Sequence, residues 1–308
     1  MYSWGRGKDG RLGHADGSAD HSEPRAVEAL ADIPLELVAL GNCHGGAVTS
    51  TGEVYMWGGG AFGELGLGDA VEEAPRPRLL AALQGHRVLD LSCGFYHTAC
   101  VTADGSVWTW GWGRDGQLGH GEASATPVRV RALAQQPASR VACGHHATCA
   151  LGRDGDVYAW GNLSDSDGSS GGGETSRTGV HRVGLPSGAT RAIAVGGKHA
   201  LATLADGRLF AWGCGRHGQL GFGDRADRLA PAHVVALRMV SAAGGGEAHS
   251  AALALHAEPL GASGLVACVW GRSHYGGSGS GGGGEAVHAW PRALHLPLSM
   301  GSALELRT

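Results

Sequence analysis

Residues 93–119 read CGFYHTACVTADGSVWTWGWGRDGQLG. Asp104 and Gly105 sit between two runs rich in Val, Thr and Trp, and Asp-Gly in that setting signals a two-residue hairpin. On the second run Val107 and Thr109 alternate with Trp108 and Trp110, the period of a strand. Gly111 then permits a sharp exit and a close backbone approach. The stretch therefore reads as two antiparallel strands that end in a glycine-rich loop.

The same pattern recurs along the chain. Trp-Gly occurs at Trp4, Trp57, Trp110, Trp160, Trp212 and Trp270, every 50 to 58 residues. Upstream relatives of the first run are LGNCHGGAVTSTGEVYMWG, CGHHATCALGRDGDVYAWG and VGGKHALATLADGRLFAWG. In each, an aligned Gly (Gly41, Gly94, Gly144, Gly196) precedes the turn glycine (Gly52, Gly105, Gly155, Gly207) by 11 residues. No long amphipathic helix interrupts the repeats. A unit of about 50 residues made of strands cannot bury its own face and must stack on its neighbours. The expected fold is all-β: a β-propeller of about six blades, or an incomplete seven-bladed ring. It is read as one domain over 1–308, with repeats starting near 1, 54, 107, 157, 209 and 267.

Composition narrows the function. Net charge is −4, which lacks the basic face a nucleic-acid partner requires. No run of 18 apolar residues exists, so no membrane insertion is expected. The seven cysteines form no C-x-x-C pair and read as small buried hydrophobes in a reducing, intracellular setting. There is no G-x-S-x-G elbow, no H-E-x-x-H and no P-loop, so the chain is not expected to be an enzyme and no cofactor is expected. GRGKDG at Gly5–Gly10 matches G-x-G-x-x-G, but the pattern returns at Gly58, Gly111 and Gly213 without opening a clear helix. It is a structural loop rather than a phosphate cradle.

The alternation of G-x-x-H, D-G-x-V-[YW]-x-W-G and G-x-G-x-x-G-x-L-G resembles the regulator-of-chromosome-condensation repeat family. The resemblance covers nearly the whole chain and implies a β-propeller, commonly seven-bladed. It implies a protein-protein interaction scaffold, a subunit of a larger assembly in the cytoplasm, with the nucleus or cilium as other settings. The alternative it implies is a guanine-nucleotide exchange factor for a small GTPase, the activity of the founding member. A light-sensing branch carries Trp in G-W-R-H-T segments. The corresponding segments here, GFYHT, GHHAT, GGKHA and GEAHS, carry none.

Two repeats depart from the pattern. GNLSDSDGSSGGGE after Trp160 lacks the Leu-Gly pair, and GRSHYGGSGSGGGGE after Trp270 keeps only Gly276. Residues 162–176 and 273–285 are expected to be irregular, exposed and more mobile than the hairpins. The fifth hairpin carries an insertion from His256 to Gly264, with His256, Glu258, Pro259 and Leu260 as candidate partner-binding residues. Trp108 and Trp112 are further candidate surface contacts.

The repeat tryptophans Trp4, Trp57, Trp110, Trp160, Trp212 and Trp270 are expected to be buried at equivalent positions. His44, His97, His199 and His249 each lie three residues after an aligned Gly, with Ala147 in their place in one copy. They are expected to bond a neighbouring turn backbone rather than hold metal. Met1 and Thr308 flank one hairpin tip in the repeat phase. A closed ring would pair MYSWG with GSALELRT and bring those termini within about 15 Å. An open arc would leave them a blade apart.

Overall fold

The computed structural model describes residues 1–121, 123–164, 176–186, 189–255, 265–273 and 286–294. These residues form six sheets. The first pairs β1 (Tyr2–Gly5) with β2 (His21–Ala26). The second holds β3 (Leu35–Leu40), β4 (His44–Thr49), β5 (Val54–Gly59) and β6 (Glu73–Leu79). The third holds β7 (Val88–Cys93), β8 (His97–Thr102), β9 (Val107–Trp112) and β10 (Ala123–Arg129). The fourth holds β11 (Ala138–Cys143), β12 (Ala147–Gly152), β13 (Val157–Asn162) and β14 (Ser176–Arg182). The fifth holds β15 (Thr190–Val195), β16 (His199–Leu204), β17 (Leu209–Gly213) and β18 (Arg228–His233). The sixth holds β19 (Arg238–Gly245), β20 (His249–Leu255), β21 (Leu265–Ser273) and β22 (Ala286–Leu294). In each four-stranded sheet the strands lie side by side in chain order. Positions 54, 107, 157 and 209 open the third strand of a sheet, so each sheet combines the end of one sequence repeat with the start of the next.

The chain divides into two compact units. One comprises Met1–Asp154, Tyr158–Asn162 and Arg177–His181, and carries the first three sheets and most of the fourth. The other comprises the rest and carries the fifth and sixth. Among the described residues no helix is long and apolar enough to cross a membrane.

The hairpin read from Asp104-Gly105 is present. Gly105 takes φ +85°, and the Asp104 carboxylate accepts from Thr102 Oγ1 at 2.6 Å, Ser106 Oγ at 2.8 Å and the Ser106 amide at 3.1 Å. Those donors hold its pKa at about 2. The first strand of the pair, β8, is buried along its whole length. Val48, Val54, Met56, Leu65, Leu80, Leu91 and Trp110 join one core between the second and third sheets. Within the other unit Leu201, Leu209, Leu220, Val240 and Trp270 do the same between the fifth and sixth. All seven cysteines are buried and none forms a disulfide.

One hydrogen-bond pattern fastens successive sheets. The Glu64 carbonyl, in the loop after β5, accepts from Trp110 Nε1 at 2.9 Å and from Thr98 Oγ1 at 2.8 Å. Thr98 and Trp110 face each other across β8 and β9 of the next sheet. His44 Nε2 meets the same Thr98 hydroxyl at 2.9 Å. The set repeats as Gln117 carbonyl, Trp160, Thr148 and His97, and again as Gln219 carbonyl, Trp270, Ser250 and His199. Because each hydroxyl gives its proton to the carbonyl, the imidazole Nε2 must donate; at His44 and His97 burial disfavours the charged ring. The histidines thus bond a hydroxyl of the following sheet rather than the turn backbone expected from sequence. His249 departs from this set: it is exposed, and the sixth sheet is the last one described.

Trp57, Trp110, Trp160, Trp212 and Trp270 are buried as expected, whereas Trp4 is 58% exposed. The physical reason is that a repeat Trp is buried by the loop of the preceding repeat. Trp57, for example, donates to the Arg11 carbonyl at 3.1 Å, beneath the first repeat's loop. No preceding loop stands over Trp4 among the described residues, and the sheet of β1 has only β2 beside it. Of the stretches 162–176 and 273–285 expected to be irregular, Asn162, Ser176 and Ser273 instead lie at the ends of β13, β14 and β21, where strand pairing extends into them. Residues 165–175, 274–285 and the insertion 256–264 lie outside the described residues. So does Thr308, and with it the expected pairing of the termini.

Trp110→Ala should cost about 3–5 kcal/mol in chemical denaturation, because it leaves a large cavity and an unpaired carbonyl. Trp4→Ala should change stability by only about 0.5 kcal/mol. A second expectation concerns pH. Burial lowers the His44 pKa to about 4 and that of His97 to about 3, from an ordinary 6.5. For His97, charge on His44, His146 and His145 adds to burial. The unfolded chain therefore takes up protons that the folded chain refuses, and stability falls as pH drops from about 6.5 toward 3–4. The His97→Asn variant should show a shallower loss over that interval in denaturant titrations at stepped pH.

Candidate functional site

Two loops emerge at the same end of each four-stranded sheet. One links the first and second strands, as at Gly94–Tyr96; the other follows the repeat Trp. A backbone hydrogen bond ties them together. Trp112 N–H donates to the Tyr96 carbonyl at 2.8 Å, and the same bond runs from Gly59 to Cys43, Asn162 to His146, Cys214 to Lys198 and Arg272 to Ala248. The glycine of each Trp-Gly pair makes this approach feasible. Gly111 takes φ +103°, and a Cβ there would lie 2.5 Å from the Tyr96 carbonyl oxygen.

Several of the residues displayed on these tied loops in the first unit are aromatic. Phe62, from the loop after β5, lies 4.5 Å from Tyr96 and 5.0 Å from Trp112, centroid to centroid. Tyr96 meets Phe95 edge-on at 4.5 Å, and Phe95 reaches His145 at 4.5 Å. The chain of rings thus crosses from the second sheet to the fourth. Its ends are polar. Arg114 stacks over Trp112 at 4.9 Å, and His146 Nδ1 meets Asp115 Oδ2 at 2.9 Å. Phe62 is 39% exposed and the other rings are half-buried. Five adjoining rings, each presenting part of its surface to water, form an apolar face with charged ends.

Of the surface residues chosen from sequence, Trp112 belongs to this face and Trp108 does not. Trp108 lies before Gly111 on β9, half-buried against the core, with its ring 5.0 Å from His86. Its indole N–H is buried without a hydrogen-bond partner. His256, Glu258, Pro259 and Leu260 lie outside the described residues. Phe62, Phe95, Tyr96, His145 and His146 were missed as contact residues. The signal for four of them was two bulky side chains between the aligned Gly and its strand, FY and HH, where a later repeat has Gly197 and Lys198.

The RCC1-like domain pattern matches residues 56–301, and the Regulator of chromosome condensation (RCC1) repeat pattern matches residues 1–48. The mouse E3 ubiquitin-protein ligase HERC2 is 36% identical over 258 residues, 82% of this chain and 5% of the ligase. The Arabidopsis thaliana ultraviolet-B receptor UVR8 is 37% identical over 238 residues, 76% of this chain and 53% of the receptor. The chain therefore spans a small part of one relative and about half of the other. Among solved structures, human WBSCR16 superposes with a TM-score of 0.76 at 23% identity, over 96% of this chain and 76% of that one. Prp20p from Saccharomyces cerevisiae, described with its binding properties to Gsp1p and histones, gives 0.74 at 22%, over 96% and 74%. The fold class is accordingly a β-propeller, and the six sheets agree with about six blades.

Gly111→Ala should destabilise the chain and separate the two tied loops, because both its φ and the Tyr96 carbonyl oppose a Cβ. Gly5→Ala is the internal comparison: it shares the repeat position and a φ of +107°, but among the described residues nothing lies within 4 Å of a Cβ there. In parallel denaturation the Gly5 variant should retain more stability, and the Gly111 variant should also lose the exchange protection of the Trp112 amide.

Proposed function

The chain belongs to the RCC1-like domain family, and from that premise we propose that it is a non-catalytic scaffold that docks a protein partner on the aromatic face of its first unit. The observation that carries this reading is the continuous set Trp112, Phe62, Tyr96, Phe95 and His145, held on loops tied by backbone hydrogen bonds. Aromatic side chains lose little conformational entropy on binding, and they supply much of the energy at protein interfaces. A stiff frame that presents variable loop residues is also how a repeat fold acquires a specific partner. The likeness to parts of HERC2 and UVR8 suits a module inside a larger protein or assembly, working within the cell.

The second reading is exchange of guanine nucleotide on a small GTPase. It draws on the likeness to Prp20p, which is described with its binding to Gsp1p. The aromatic face does not require it.

The experiment is quantitative affinity capture from the native cell with the intact chain, Phe62→Ala, Trp112→Ala and Leu229→Ala. Leu229 is 71% exposed on β18, in the other unit, and serves as the control. Partners should fall at least about tenfold with the two aromatic variants, as expected for loss of an interface anchor, and persist with Leu229→Ala. Equal recovery from all four would refute docking on this face. A nucleotide-release assay across small GTPases tests the second reading, and acceleration for any member would favour it.

A further inference from the structure

The loop after the repeat Trp is closed from within by a side chain. Gln117 Oε1 accepts the Asp115 amide at 3.0 Å, and Gln219 Oε1 accepts the His217 amide at 2.8 Å. In the second sheet's loop the equivalent residue is Glu64, whose Oε2 accepts the Phe62 amide at 2.8 Å. An amide oxygen suffices for that bond in the other two loops. The carboxylate adds a second oxygen and an acidic group at a residue with no exposed surface. A buried carboxylate requires compensation.

That second oxygen, Oε1, accepts from Cys43 Sγ at 3.4 Å. Cys43 precedes His44, which is 2% exposed. His44 Nε2 donates to Thr98, so Nδ1 carries a bare lone pair, and it is buried without a hydrogen-bond partner. His97 and His199 share that last feature, so it does not single out His44. What singles it out is company. One sulfur, one imidazole nitrogen and one carboxylate oxygen from Cys43, His44 and Glu64 all lie within 4.8 Å of one another. The equivalent positions are Tyr96, His97 and Gln117 in the next repeat, and Lys198, His199 and Gln219 in a later one. Neither set offers a thiolate and a carboxylate together. Among the described residues no other group of three such donors converges.

We propose that Cys43, His44 and Glu64 bind a single borderline divalent cation of the zinc type. A thiolate, an imidazole and a carboxylate are the donors that Zn²⁺ takes, whereas Mg²⁺ and Ca²⁺ favour oxygen alone. On binding, the cation replaces the S–H···O contact between Cys43 and Glu64. The thiol proton, with any proton on Glu64, passes to solvent. A thiolate and a carboxylate then balance a 2+ ion, which meets the charge requirement of the buried Glu64. The His44 bond to Thr98 sets the ring orientation, as an outer partner does for a metal-bound histidine. The ion would brace the loop that carries Phe62 against the start of β4, whatever the aromatic face binds.

The test uses the intact chain, freed of metal by a chelator and titrated with Co²⁺ alone. One equivalent should bind and give a near-ultraviolet sulfur-to-cobalt charge-transfer band, and Zn²⁺ should displace it. Cys43→Ser should abolish the band, and Cys214→Ser, at another buried cysteine, should leave it intact. Glu64→Gln restores the residue used in the other two loops and is expected to fold. It should weaken binding by more than the about 10–100-fold that losing an outer partner costs. Absence of a stoichiometric band, or a band unchanged in both Cys43→Ser and Glu64→Gln, would overturn the proposal. If Cys43→Ser does not fold, the Glu64→Gln titration decides alone.

Discussion

A single backbone carbonyl, that of Glu64, Gln117 or Gln219, is the point on which each well-formed sheet junction rests. It accepts from an indole and a hydroxyl of the following sheet, and a histidine of its own sheet meets that hydroxyl. Every partner is buried, so removal of any one leaves another group unsatisfied in a dry setting, at about 1–3 kcal/mol. The set is therefore kept or lost as a group. Where the histidine position is Ala147, the hydroxyl position of the next repeat is Ala200, so both halves of that contact are gone together.

The carbonyl must be held still to accept two donors. That requirement explains the loop closure by Gln117, Gln219 and Glu64 side chains, and the glycines around them. It also leaves other positions free. Residues between the aligned Gly and the strand join the junction through their backbone, as when the Phe95 amide donates to the Gly144 carbonyl at 3.1 Å. Their side chains take no part in the carbonyl set, so they vary from Phe95 and Tyr96 to His145 and His146 to Gly197 and Lys198. The frame is repetitive and the display is not, which is the arrangement a binding scaffold needs. Glu64 belongs to both: its carbonyl serves the frame, while its carboxylate faces Cys43 and His44.

Much of the frame is legible in the chain itself. Trp-Gly at regular spacing, Asp-Gly between alternating runs and a histidine three residues after an aligned Gly are local patterns with local causes. They determined the strands, the hairpins, the family resemblance and the burial of Trp57, Trp110, Trp160, Trp212 and Trp270. Tertiary structure alone decided the rest, because the deciding neighbour is contributed by another repeat. Trp4 carries the same local signal as Trp110, yet it is exposed, with no loop over it among the described residues. Trp108 and Trp112 look alike on one strand, but the turn at Gly111 sends one against the core and the other to Phe62, 50 residues earlier in the chain. Cys43 and Glu64 belong to no shared motif. They meet because β4 and the loop after β5 are tied at the same end of one sheet, a proximity that follows from strand pairing and leaves no mark in either residue's own surroundings.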